Sequence, residues 1–213
     1  ASIYHNKALD FDGVNDYVAT ASNISALDIT ADITIASWVN IPSMPNDYAR
    51  IIGKGKGGDT HRTYGLWVDS SGKLLYQMGD AATNAFVNLF STTSLSTGAW
   101  HHIIATRSGN NVTIYVNGVA DATITYSGTP YSTSEPLTFG YGNNHAHFPG
   151  KLDEVAVWDK GLSAAEIKTL YNSGRGLDAS SNSGNYNSAN NLVGYWKMDD
   201  GSGTSLTDSS SNS

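Results

Sequence analysis

One stretch of this chain, residues 150–174, combines a strand pattern with the clearest helix signal in the sequence. The segment LDEVAVW alternates polar and apolar residues, which predicts a strand with Leu152 and Trp158 on the same face. Ser163 and Glu166 follow at the spacing of a capping box, and the apolar stripe behind them stops at the glycine that closes the stretch. The sequence therefore predicts a strand, a turn and one short helix here.

The rest of the chain carries strand and turn signals. Short segments such as residues 33–41 alternate with a period of two, and 22 glycines separate such segments. Asn117-Gly118 is the strongest short hairpin signal. All-β sandwiches often use about 200 residues as a single unit, so 213 residues favour one antiparallel two-sheet sandwich with one short C-terminal helix.

The composition changes near the C-terminus. Residues 177–191 consist almost entirely of Asp, Ala, Ser, Asn and Gly, which predicts a linker after a domain over residues 1–176. Residues 192–213 then predict either the start of a following repeat or the closing strand of this domain. In both cases we expect a strand beside residues 8–12, of this copy or of a neighbouring one, because so short a tail cannot bury its aromatic residues alone.

Charge and cysteine content narrow the class of partner. The formal charge is −7 and the isoelectric point is near 5.1, so we expect neither nucleic acid nor an anionic membrane as a partner. There is no cysteine, which is compatible with the cytosol or with a secreted protein that does not depend on oxidation. No apolar run reaches membrane-spanning length, so we expect no membrane insertion. The first residues carry no signal peptide, so we expect any export signal to lie outside this sequence.

Four segments taken together resemble the concanavalin A-like lectin/glucanase superfamily, in its laminin-G-like and pentraxin-related branch. They are ALDFDGVNDYV, AWHHIIATR, VTIYVNG and GKLDEVAVWDKGLSAAEIKTLY, and the resemblance covers roughly residues 7–174. It implies a jelly-roll sandwich. For function it implies less, because this fold carries lectins, adhesion modules and glycosidases alike.

A carboxylate-rich turn predicts a metal site. Asp12, Asn15 and Asp16 provide hard oxygen ligands on a glycine turn, which suits Ca²⁺. The resemblance implies a structural calcium held between this turn and Asp153. The alternative is that the aspartates only accept hydrogen bonds from turn amides.

A second group of residues predicts ligand binding through two loops and nearby aromatic side chains. Its members are Asp59, His61, Tyr64, Tyr141, Asn143, Asn144, His145 and His147. Hydroxyl recognition by Asp, Asn and His beside a stacking aromatic ring suits a sugar. Pentraxin-like relatives would place a second calcium here, but Gly142 stands where an acidic ligand is expected. Two alternatives remain open: a zinc or nickel chelate of His61, His145 and His147, or solvated loops without a ligand.

Catalytic motifs are missing from the sequence. The glucanases of the superfamily carry a Glu-x-Asp-x-(x)-Glu strand, whereas the three glutamates here, Glu135, Glu154 and Glu166, stand far apart. We therefore predict a non-catalytic, calcium-stabilised module that binds carbohydrate or a cell-surface glycan. It would belong to a larger extracellular, cell-surface or virion-surface protein, in contact with neighbouring repeats of the same chain. Alternatives are a structural spacer repeat in a fibre or adhesin, and a glycoside hydrolase.

Overall fold

The computed structural model describes residues 7–20, 24–55, 60–141 and 145–210. Within these ranges the strands form two antiparallel sheets packed face to face, so the predicted all-β jelly-roll sandwich is confirmed. The strands are Leu9–Asp12 (β1), Val18–Ala19 (β2), Ile33–Asn40 (β3), Ala49–Gly55 (β4), Arg62–Val68 (β5), Lys73–Asp80 (β6), Ala85–Ser94 (β7), Trp100–Ser108 (β8), Asn111–Val116 (β9), Val119–Thr125 (β10), Leu137–Phe139 (β11), Pro149–Trp158 (β12) and Leu192–Trp196 (β13). The α-helix is Ala164–Tyr171 (α1), and short 3-10 turns occupy Ser25–Leu27, Asn172–Gly174 and Ala189–Asn191.

Both sheets combine a run of consecutive neighbouring strands with crossover connections. The first sheet runs β1-β12-β3-β8-β9-β10, and β13 also pairs with β12. The second sheet runs β2-β11-β4-β5-β6-β7. The main core lies between them, and in β3 the alternation holds, since Ile33, Ile35 and Val39 enter this core while Trp38 lies outside it.

A bulge in β12 changes which of its residues face the core. Glu154 has a φ of 51°, and the register with β3 gains one extra residue on β12 there. Leu152 therefore shares the inter-sheet core with Val155 and Val157, while Trp158 packs on the outer face of the first sheet. The uninterrupted alternation that placed Leu152 and Trp158 on one face is wrong, because pattern alone does not reveal a bulge.

The predicted helix forms on that outer face. The Ser163 side chain accepts from the Glu166 amide, and the Glu166 carboxylate accepts from the Ser163 amide in return. Ile167 and Leu170 of α1 are buried in a second apolar cluster with Trp158. None of the helices in the described ranges is long and apolar enough to cross a membrane.

The C-terminal segment is part of the sandwich. The stretch interpreted as a linker, 177–191, buries Ala179 and Tyr186 against the first sheet. The Tyr186 hydroxyl accepts from Nε1 of Trp158 at 2.9 Å and donates to the Ala179 carbonyl at 2.7 Å. Strands β1 and β13 both pair with β12, β1 near its start and β13 near its end. Strand β13 therefore follows β1 along the same strand and does not lie beside residues 8–12.

Candidate ligand-binding site

The turn after β1 is held by its own carboxylates. Oδ1 of Asp12 accepts from the amides of Val14, at 2.7 Å, and Asn15, at 3.2 Å. Oδ2 of Asp16 accepts from the Asp12 amide at 3.0 Å. The amides of Val14 and Asn15 hold the pKa of Asp12 below its ordinary value. One oxygen of each aspartate therefore serves the turn itself, as the Asx-turn interpretation expects.

An aromatic group lies beside this turn. The rings of Tyr17 and Tyr141 have centroids 5.7 Å apart, and Tyr141 stacks on His147 at 4.5 Å with an interplanar angle of 14°. Nδ1 of His147 lies 3.4 Å from the Asp16 carbonyl. We call Tyr17, Tyr141 and His147 the aromatic rim. Its outer member, Tyr17, is 58% exposed and presents a ring to solvent.

Sequence reasoning included Tyr141 and His147 but missed Tyr17. The signal was present, because Val18 follows it in strand β2 and packs on the core. Neighbouring residues in a strand point to opposite sides, which places Tyr17 outward.

A groove of about 780 Å³ opens next to the rim, between strands β1 and β2 and the C-terminal tail. Asp16 and Tyr17 form one wall, and Phe139, Trp196 and Leu206 contribute apolar surface. Small-molecule sites usually measure roughly 300–1,000 Å³ and combine apolar walls with a few polar groups. The groove therefore has the size and lining of a site for a small ligand.

The three histidines of the zinc alternative lie in separate contacts. His61 packs on Tyr131 with centroids 4.4 Å apart, and His145 lies 3.6 Å from the Asp47 carboxylate through Nδ1. Across the ranges that the structure describes, no three His, Cys, Asp or Glu side chains are grouped to hold a metal. The described structure therefore does not form the His61, His145 and His147 chelate.

Tyr64 does not belong to the site, contrary to the sequence prediction. Its side chain is buried in the core between the sheets, where its hydroxyl donates to the Leu27 carbonyl at 2.8 Å. Burial raises the pKa of this hydroxyl well above its ordinary value. The reason is that successive side chains of a strand point to opposite faces, and Tyr64 occupies an inward position of β5. Of the other predicted ligand residues, Asp59, Asn143 and Asn144 lie outside the described residues.

Asp153 does not reach the turn that it was expected to clamp. Asp12 pairs with Pro149 on β12, and Asp153 lies four residues further along that strand, a rise of about 13 Å. The Asp153 side chain is buried, and its Oδ1 accepts from the Glu154 amide at 3.0 Å. The expected calcium set of turn and clamp does not fit this structure, because only Asp12, Asn15 and Asp16 are together.

Two of the three glutamates, Glu154 and Glu166, form hydrogen bonds that hold the fold together. Glu166 belongs to the capping box of α1. Glu154 accepts a hydrogen bond from the Tyr195 hydroxyl beneath the C-terminal segment, and burial raises its pKa to about 8. Neither carboxylate lines the groove, whose acidic residues are aspartates: Asp10, Asp16, Asp200 and Asp208.

A family model described as the concanavalin A-like lectin/glucanases superfamily matches residues 12–168. The chain belongs to this superfamily. The match runs from the turn after β1 into α1, so it includes the aromatic rim. No curated protein sequence matches the chain at a significant level.

Solved structures with this fold include carbohydrate-binding modules. A Bacteroides ovatus protein provisionally described as carbohydrate binding is similar with a TM-score of 0.72 and 20% identity, over 98% of this chain and 56% of its own. Domain 4 of AbnA, an extracellular arabinanase of Geobacillus stearothermophilus, was solved with arabinotriose and gives a TM-score of 0.64, with 16% identity over 80% and 79%. The CBM40 of a Ruminococcus gnavus sialidase gives 0.60, with 13% identity over 80% and 100%. At these identities the likeness establishes the fold alone.

Proposed function

We propose that this chain is a non-catalytic carbohydrate-binding module whose aromatic rim binds the sugar. The observation that carries the proposal is the exposed ring of Tyr17 in the lining of the groove, in contact with Tyr141, which stacks on His147. A sugar ring has an apolar face that packs on an aromatic ring and hydroxyls that need hydrogen-bond partners. Tyr17 offers the first, and the free carboxylate oxygens of the adjoining turn offer the second.

Solved carbohydrate-binding modules with this fold support the proposal. One CBM40 structure holds α2,3-sialyllactose, and the arabinanase domain holds arabinotriose. The chain spans 56% of the length of the Bacteroides protein, so the activity of any larger protein that contains this module remains a separate proposal. We infer an extracellular, cell-surface or virion-surface protein that uses the module for adhesion. Detection of the chain at the surface of intact cells or particles tests that inference.

The turn after β1 offers fewer calcium ligands than the family resemblance implies. Asp12 and Asp16 each have a carboxylate oxygen that makes no hydrogen bond within the described residues, and Asn15 lies between them. We propose that these three hold any bound Ca²⁺ without Asp153. Such a site would stabilise the turn that carries Tyr17.

Binding to a glycan array, followed by calorimetric titration with the best glycan, tests the proposed function. We expect Tyr17→Ala to weaken binding about tenfold or more, since stacking on an exposed aromatic ring contributes on the order of 1–3 kcal/mol. Phe90→Ala is the matched control, because Phe90 is 45% exposed on β7, at the opposite edge of the second sheet. Equal weakening by both variants, or no binding to any glycan, would count against the rim and favour a structural spacer.

A further inference from the structure

Two glycines shape the outer face of the second sheet. Gly53 and Gly65 are paired on β4 and β5. A Cβ atom at Gly65 would lie 2.1 Å from the Trp67 ring, and one at Gly53 would lie 3.2 Å from Nε of Arg50. The side chains of Arg50 and Trp67 therefore lie flat on the sheet because these two positions have no side chain.

Three hydrogen-bond donors on this surface have no partner. Nη1 of Arg50 donates to the Gly55 carbonyl at 3.0 Å and to Oγ1 of Thr138 at 3.2 Å. In the described part of the chain, nothing accepts from Nε or Nη2 of Arg50, or from Nε1 of Trp67. Arg50 is 2% exposed and Trp67 is 1% exposed, so water does not satisfy them at the surface. Buried donors without an acceptor are costly, and an ion or ligand is a standard explanation for them.

A second buried arginine shows that the fold can satisfy such a group. Arg107 is buried and stacks on Tyr126 at 4.9 Å, much as Arg50 stacks on Trp67 at 5.0 Å. All three nitrogens of Arg107 donate to main-chain carbonyls, those of Gly109, Thr30 and Gly128. Arg50 differs by leaving one whole edge of its guanidinium group unpaired.

A second cationic side chain lies close to this surface. The guanidinium carbon of Arg62 lies 4.7 Å from the centroid of the Trp67 ring. Burial, and then the neighbouring charge of Arg62, lower the pKa of Arg50 to about 9, and the carboxylate of Glu135 offsets part of this shift. Arg50 is therefore still protonated at neutral pH. An anion beside Arg50 would relieve both effects.

We propose that Arg50 and Trp67 form a subsite for the carboxylate of an acidic sugar. Nε and Nη2 form the edge of a guanidinium group that binds a planar carboxylate through two parallel hydrogen bonds, and Nε1 of Trp67 supplies a third donor. Oγ1 of Thr138 connects Arg50 to the Tyr141 carbonyl, to which it donates at 2.8 Å, so the subsite adjoins the aromatic rim. The subsite rests on the proposed carbohydrate binding and specifies the class of sugar.

Two features of the site shape the expected behaviour. Because both side chains are buried, a carboxylate bound at the free edge changes the surroundings of the Trp67 indole. The net charge of −7 on the whole chain opposes an anion only weakly, since exposed charges further away than a Debye length of about 8 Å are largely screened at physiological salt.

Titration of the full chain with α2,3-sialyllactose and with lactose tests the subsite, because the two probes differ by one carboxylate-bearing sugar. We expect sialyllactose to bind about tenfold more tightly, as charge-assisted bidentate hydrogen bonds contribute at least that factor. Arg50→Lys, which lacks the fork, should bring the ratio close to one, and Trp67→Phe should reduce it while retaining the stacked ring. Arg175→Lys is the control, since Arg175 is exposed after α1.

The outcomes separate this subsite from the proposed function. If lactose and other neutral glycans bind through Tyr17 but no carboxylate-bearing glycan binds better than its neutral counterpart, the subsite is refuted and the rim stands. An unchanged ratio in both Arg50→Lys and Trp67→Phe also refutes the subsite. If acidic sugars bind through Arg50 while Tyr17→Ala has no effect, the rim fails and the subsite stands. A sulfated lactose that binds as tightly as sialyllactose would overturn the assignment to a carboxylate.

Discussion

The two outer faces of the sandwich differ in how far they are covered and hydrogen-bonded. On the first sheet, α1 and residues 177–191 cover the surface, and the hydroxyls beneath them are hydrogen-bonded, as Tyr186 is to Trp158. On the second sheet, Phe86 and Phe90 remain 41% and 45% exposed, and Arg50 keeps an unpaired edge. Because groups that contribute only to stability are normally packed and paired, the difference separates a covered face from one that keeps exposed rings, and the subsite proposed at Arg50 lies on the second of these.

The largest expected effect is on the covered face. Tyr186→Ala removes a buried ring and leaves Nε1 of Trp158 without its acceptor. We expect the free energy of unfolding to fall by about 3–5 kcal/mol, the usual range for truncating a buried aromatic residue. Urea denaturation measures it. Phe90→Ala, on the other face, should cost far less, and similar losses for both variants would remove the distinction between the faces.

The covered face should also set the pH dependence of stability. Burial raises the pKa of Glu154 to about 8, from an ordinary value of 4.5, against the hydrogen bond from Tyr195 that lowers it. A raised carboxyl pKa gives stability that is fully present below pH 4.5 and is lost as the pH rises toward 8. We expect a loss of up to about 1.4 kcal/mol per pH unit in that window.

Glu154→Gln isolates this contribution, because an amide keeps the shape of the carboxyl group and does not titrate. The variant should show a flatter profile between pH 5 and pH 8 in urea denaturation series, with roughly the stability that the native chain has at low pH. A profile as steep as that of the native chain would mean that another group causes the dependence.

On the outer face of the second sheet, Gly65→Ala should disturb the proposed binding together with stability. The added Cβ would lie 2.1 Å from the Trp67 ring, which has to move off the sheet. We expect a loss of about 1–3 kcal/mol, as for other cases of overpacking, and a shift in tryptophan fluorescence. The preference for sialyllactose over lactose should fall as well. If the preference persists while the fluorescence shifts, the flat position of Trp67 is not required for binding.

Much of the fold could be predicted from the sequence, because strand and helix periodicity are local. The capping box of Ser163 and Glu166 and the inward residues of β3 are cases in point. Features that depend on tertiary contacts were missed or misread. The bulge at Glu154 reverses the outward and inward sides of β12, and the polar segment around Tyr186 packs through one aromatic residue.

The candidate site was harder to predict for the same reason. His147 and Tyr141 stack only because β11 and β12 carry their loop back to the N-terminal turn, and Arg50 gave no signal in the sequence at all. The surroundings of Arg50 determine that its edge is unpaired, because Arg107 is also a buried arginine and all three of its side-chain nitrogens are hydrogen-bonded. Motifs alone therefore placed Tyr64 in the site, whereas the alternation of side chains along β5 places it in the core.

The smallest expected effect concerns calcium, and it separates the turn from the covered face. A ligand that binds only the native state at about five times its Kd raises stability by about 1 kcal/mol. We therefore expect a small rise in melting temperature with Ca²⁺ that EDTA reverses. Asp16→Ala should abolish this rise, because Asp16 is one of the turn carboxylates with a free oxygen.

Asp153→Ala is the matched variant for the calcium test, since Asp153 is buried on β12 away from the turn. It should lower the melting temperature with and without Ca²⁺ by the same amount, because its carboxylate accepts a hydrogen bond from the Glu154 amide and Asp12 pairs with Pro149, four residues away along β12. The quantity to compare is the difference between calcium and EDTA in each variant. A difference that disappears in Asp153→Ala would restore the clamp that the family resemblance implies, and would require β12 and the turn to approach each other on binding the ion.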